Sequence, residues 1–138
     1  MNIQELNIAL IEIILKKNEL DSLDYANENY DTIEEELHDL EDHFLDTHGD
    51  ELEKEITKVH KKLCPKSDVL SPIAYIGKSY YVETKADGNL RFDREPGQGV
   101  IVEINGFEDE DTKLLIVPSP LRLLLIINDK TQKEVWKA

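Results

Sequence analysis

Cysteine occurs once, at Cys64, so the chain can close no intramolecular disulfide and lacks the staples on which small secreted domains depend. Met1–Lys17 carries no basic leader or small-residue cleavage site, and Glu12 breaks its apolar run, which argues against a signal peptide. No Asn-x-Ser/Thr acceptor site occurs. The longest later apolar run, Leu121–Ile127, is interrupted by Arg122 and falls far short of the ~20 residues that span a bilayer. These absences lead us to expect a soluble, cytoplasmic protein. A further absence is local: from Asn18 to Glu53 there is no lysine or arginine, yet that stretch holds fifteen aspartates and glutamates.

What is present fits one domain. A chain of 138 residues with 40% apolar content can bury a real core, and acidic tails cannot. The net charge of −14 is unevenly spread: residues 1–70 hold nineteen acids against seven lysines, and residues 71–138 hold eleven acids against nine bases. A surface this negative repels nucleic acid and anionic lipid and attracts cations or basic proteins. The only lysine cluster, Lys58–Lys66, has no interleaved aromatics to make it a nucleic-acid surface.

Asn2 followed by Glu5 is a capping-box pattern opening a helix to about Lys17. Its apolar residues fall on two faces, Ile3, Leu6, Leu10, Ile13 and Ile14 on one and Ile8, Ile11 and Leu15 on another. So wide an arc predicts either a place at the centre of the helical layer or a homodimer interface through Ile8, Ile11 and Leu15. Asp31 with Glu34 predicts a second helix carrying Ile33, Leu37, Leu40 and Phe44 inward and ending at Gly49. Asp50 with Glu53 predicts a third, striped with Leu52, Ile56, Val59 and Leu63 and stopped by Cys64-Pro65. Beyond Pro72 the apolar period becomes two, and Asp87-Gly88 marks a hairpin between Ser79–Thr84 and Asn89–Asp93. Strands follow around Val100–Ile104, Lys113–Val117, Leu121–Asn128 and Glu134–Trp136. The expected fold is α+β: about three N-terminal helices (residues 1–64) packed on a C-terminal antiparallel meander of five or six strands (residues 73–138).

No motif identifies a reaction. Glu35-x-x-His38 has the spacing of a carboxylate-bridged di-metal ligand pair, but both residues project away from the Ile33–Phe44 stripe, and no second copy exists. His60 and Cys64, one helical turn apart, are weak metal candidates, because a closed zinc site wants about four ligands. Gly77-Lys78-Ser79 resembles the end of a phosphate loop but precedes a strand, so no helix N-terminus would face the phosphate. No cofactor is implied.

The sequence thus reads as a non-catalytic interaction or regulatory module whose acidic helical face engages a basic protein surface through Glu28, Glu34, Glu35, Asp39, Asp42 and Asp46. In size and charge alone it is similar to bacterial immunity proteins and antitoxins that neutralise basic nucleases, an analogy that no residue motif carries. The alternative is a small-molecule or metal-binding protein, or an enzyme, with a pocket between helices and sheet. Its candidate residues would be His60, Cys64, Tyr80 and Arg122, the last because a charge inside an apolar strand needs a partner.

Overall fold

The computed structural model describes all of residues 1–138, and its architecture is α+β. Helix α1 spans Ile3–Asp21, four residues beyond the expected end, and Asn2 caps it by accepting a hydrogen bond from the Glu5 amide at 3.1 Å. Leu6, Leu10, Ile13 and Ile14 are sealed in the core. The second apolar face is not: Ile8 is 50% and Leu15 41% exposed, and Ile11 is half-buried. Helix α1 therefore lies at the edge of the helical layer and not at its centre.

Two expected helices are one rod. Helix α2 (Tyr30–Phe44) passes through a π turn (Leu45–Gly49) directly into α3 (Asp50–Leu63). Gly49 is no terminator; its φ of −58° and ψ of −48° are ordinary helical values. Nor do Asp31 and Asp50 cap helix starts, since Asn29 is the residue before α2 and Asp50 continues an unbroken rod. The physical reason lies in the spacing of the buried side chains Phe44, His48, Leu52 and Ile56. Steps of four residues drift about 40° each around an α-helix, and the wide π turn takes up part of that drift. Phe44 and His48 consequently stack with ring centroids 5.7 Å apart.

A Cβ on Gly49 would meet only the Leu45 side chain, at 3.4 and 3.6 Å. Gly49→Ala should therefore stabilise the protein by about 0.5–1 kcal/mol, as for glycine in a helix interior. Thermal unfolding checks this. A loss of stability would mean that the added methyl group does not fit against the Leu45 side chain.

After a 3₁₀ turn at Pro72–Tyr75 come six antiparallel strands in two sheets, where a single meander was expected. Strands β1 (Tyr80–Thr84) and β2 (Leu90–Arg94) form a separate hairpin. Strands β3 (Val100–Ile101), β4 (Thr112–Val117), β5 (Arg122–Ile127) and β6 (Thr131–Lys137) form the meander, in that order. Two local features separate them. Gly99, at φ +119°, brings the chain so close to β4 that a Cβ would lie 3.0 Å from the Leu114 carbonyl oxygen, so the segment joins β4 and not β2. Strand β3 is then cut short because the chain beyond it docks on the end of α3. The Asn105 amide donates to the Leu63 carbonyl at 3.2 Å, and the Glu103 amide to Ser67 Oγ at 2.8 Å, satisfying a carbonyl that the helix end leaves free.

Leu114–Val117 and Leu123–Ile126 are buried at every position, so both faces of β4 and β5 are covered, as the unbroken apolar run of β5 implied. One apolar cluster joins α1, α2, α3, the hairpin and the larger sheet. Asparagine side chains weld the helical part to the strands. Asn18 Nδ2 donates to the Tyr80 carbonyl at 3.0 Å, and its Oδ1 accepts from the Tyr80 amide at 2.9 Å. Asn7 Oδ1 accepts from the Ser119 amide at 2.9 Å. No helix is long and apolar enough to cross a membrane.

Candidate functional site

The rod presents Glu35, Asp39, Asp42 and Asp46 outward, at helical spacing and all exposed. None of them forms an ion pair or a side-chain hydrogen bond, whereas the neighbouring Glu36 is held by Lys16 at 2.7 Å. Glu34 is half-buried at the margin of this face. Glu28 is exposed but stands in the turn before α2, off the helix. The result is an uninterrupted anionic stripe on a rigid element. Glu35 and His38 both face solvent, away from the buried Leu37 and Phe44.

His60 is fully engaged within the protein. Its Nδ1 lies 3.1 Å from the Ser67 carbonyl oxygen, and its Nε2 lies 2.8 Å from the Tyr75 hydroxyl. A carbonyl can only accept, so Nδ1 carries a proton and donates to it, while Nε2 and the Tyr75 hydroxyl share the second hydrogen bond. The Tyr75 oxygen in turn accepts from the Leu70 amide at 3.1 Å. This chain of hydrogen bonds fastens the end of α3 to the 3₁₀ turn, and the rings of His60 and Tyr75 meet edge to face at 5.9 Å. Both ring nitrogens are thereby occupied. Burial pushes the Cys64 thiol above its ordinary pKa, away from the thiolate that binds metal or attacks a carbon. No cluster of three or more His, Cys, Asp or Glu side chains with metal-binding geometry is present.

Tyr80 and Arg122 lie elsewhere. The Tyr80 hydroxyl donates to the Ile116 carbonyl at 2.6 Å and accepts from the Gly77 amide at 2.8 Å, and burial raises its pKa strongly. Arg122 Nη1 donates to the Pro118 and Pro120 carbonyls at 3.3 and 2.8 Å. It braces its own turn and finds no helix carboxylate. His60, Cys64, Tyr80 and Arg122 do not share any of four surface clefts, and none of them lines one.

One cleft between helices and loop holds a residue that sequence reasoning missed. Lys17 Nζ is half-buried, with a single long hydrogen bond of 3.5 Å to the Ile76 carbonyl. Desolvation lowers its pKa, against the pull of Glu41 and with the push of Lys78. The sequence held a signal for it. Lys17 stands four residues after Ile13 and seven after Leu10, so it shares their inward face. By contrast Lys16 is held charged, its pKa raised chiefly by the hydrogen bond to Glu36.

The chain matches no protein-family model, and comparison with curated proteins and with solved structures likewise finds no match.

Proposed function

We propose that the protein is an interaction module whose stripe of Glu35, Asp39 and Asp42 on α2 and Asp46 on the π turn, with Glu28 and Glu34 beside it, engages a basic protein surface. The observation that carries this reading is the combination of exposure and lack of partners along one face of a rigid rod. Unpaired like charges repel one another along a helix, and a cationic partner would relieve that cost. The field would also accelerate association with a basic surface and disfavour acidic ones.

The test uses a decalysine peptide as a defined cationic probe and two variants of equal net charge. One is Glu35→Lys/Asp39→Lys/Asp42→Lys. The other is Glu108→Lys/Asp109→Lys/Glu110→Lys, in an exposed loop. Binding lost in the first and kept in the second supports the stripe; equal losses would mean that only net charge matters.

A second copy of the chain is the partner we propose for the free face of α1. Exposed Ile8 and Leu15 lie one above the other at a seven-residue spacing. Ile11 belongs at the edge of this patch, because it also lines the shallow cleft with Leu90 and Ser119. Sedimentation over a wide concentration range should show a dimer that Ile8→Glu/Leu15→Glu converts to a folded monomer. A wild-type chain that stays monomeric throughout would refute the interface.

A further inference from the structure

The cleft that holds Lys17 lies between α1, α2 and the loop before β1 and has a volume of about 360 Å³. Leu20, Leu37 and Tyr30 supply apolar and aromatic wall, while Lys17, Glu41 and Lys78 supply charge. Asp21 lines it as well. Two charged groups in it have few partners within the protein. The Lys17 ammonium has three donors and one long hydrogen bond, and no carboxylate lies within ion-pair distance. Glu41, also half-buried, has neither a hydrogen bond nor an ion pair, although its charge acts on Lys17 across the cleft. A lysine and a glutamate that share a cleft without meeting leave room for a third group between them.

We propose that this cleft takes a small anionic aldehyde or ketone, with Lys17 Nζ as the amine that condenses with the carbonyl and Lys78 as the cation that draws the anionic group. The inference is independent of the acidic stripe, which lies on exposed positions of α2. Desolvation favours the neutral amine, the form that attacks carbonyl carbon. In the step itself the Nζ lone pair forms the C–N bond while the carbonyl π pair moves to oxygen, and one N–H proton passes to that oxygen to give the carbinolamine. The nitrogen lone pair then forms the C=N bond as the C–O bond breaks, and the hydroxyl departs as water with the second N–H proton, leaving a neutral imine. Nothing is oxidised or reduced, and one water leaves per imine. Glu41 is the carboxylate placed to carry the proton from nitrogen to the departing oxygen.

Lys16 is an internal control, since it is adjacent in sequence but locked to Glu36 at 2.7 Å and Glu19 at 3.4 Å. The experiment exposes the intact chain to glyoxylate, traps imines with borohydride and measures labelling at each lysine by peptide mass spectrometry. Lys17 should be labelled several-fold more than Lys16 and more than the exposed lysines Lys58, Lys61 and Lys133. Lys78→Gln should lower labelling of Lys17 by glyoxylate several-fold more than labelling by neutral propionaldehyde, which falls only because the Lys78 charge no longer helps to depress the Lys17 pKa. Labelling distributed according to exposure, or Lys17 no more reactive than Lys16, would overturn the proposal. Equal glyoxylate labelling in Lys78→Gln would overturn the assignment of an anionic ligand.

Discussion

Replacing His60 with alanine should cost about 3–5 kcal/mol of folding stability, as the sum of two effects. Removing a buried ring leaves a cavity, and large-to-small changes in cores cost about 2 kcal/mol or more. The same change takes the buried Tyr75 hydroxyl's partner Nε2 away, and a buried polar group that loses its partner adds about 1–3 kcal/mol. The loss is large against a typical total of about 5–15 kcal/mol, so the variant should melt far below the wild type. Tyr75→Phe should cost less, because it removes one hydroxyl and leaves the ring in place. Denaturant unfolding of both variants measures this. A chelator should leave the wild-type transition where it is, and a downward shift would make His60 a metal ligand in place of a strut.

The second large effect is on binding. Glu35→Lys/Asp39→Lys/Asp42→Lys should leave the fold intact, with stability equal to wild type or higher by about 0.5 kcal/mol, because each new lysine stands three or four residues from an acid that remains, Asp31, Glu36 or Asp46. All three positions are exposed and unpaired, so no contact is lost. Affinity for decalysine should nonetheless fall by about tenfold or more, since the change places cations where attraction was and like-charge juxtaposition costs several kcal/mol. A large drop in melting temperature would show that this face is packed and not free.

The strands were legible because their signals are local: Asp87-Gly88 turns the hairpin with Gly88 at φ +85°, and Leu121–Ile127 reads directly as the buried interior strand β5. The continuous rod was not legible, because Gly49 followed by Asp50 and Glu53 imitates one helix ending and another beginning. What decides the matter is the burial of Phe44, His48 and Leu52, a tertiary effect that overrides the local pattern. The division into two sheets likewise depends on the approach of Gly99 to Leu114 and on the docking of Asn105 at Leu63, contacts between distant parts of the chain.

The acidic stripe could be read from charge and period together, and only Glu28 and Glu34 stand apart from it, one off the helix and the other half-buried. Arg122 stands out in the sequence as a charge inside an apolar strand, and its partners are backbone carbonyls of the adjacent turn, which no side-chain pattern announces. The Lys17 cleft was missed because its second cation, Lys78, joins it only through the fold.

The most direct test of an electrostatic docking face is the association rate of decalysine with the wild-type protein and with Glu35→Lys/Asp39→Lys/Asp42→Lys across a range of salt. The wild-type rate should fall steeply as ionic strength rises and the Debye length shrinks from about 30 Å at 0.01 M to about 8 Å at 0.15 M. The variant should associate slowly and with a much shallower dependence. A wild-type rate indifferent to salt, or the same steep dependence in the variant, would contradict recognition through the α2 stripe.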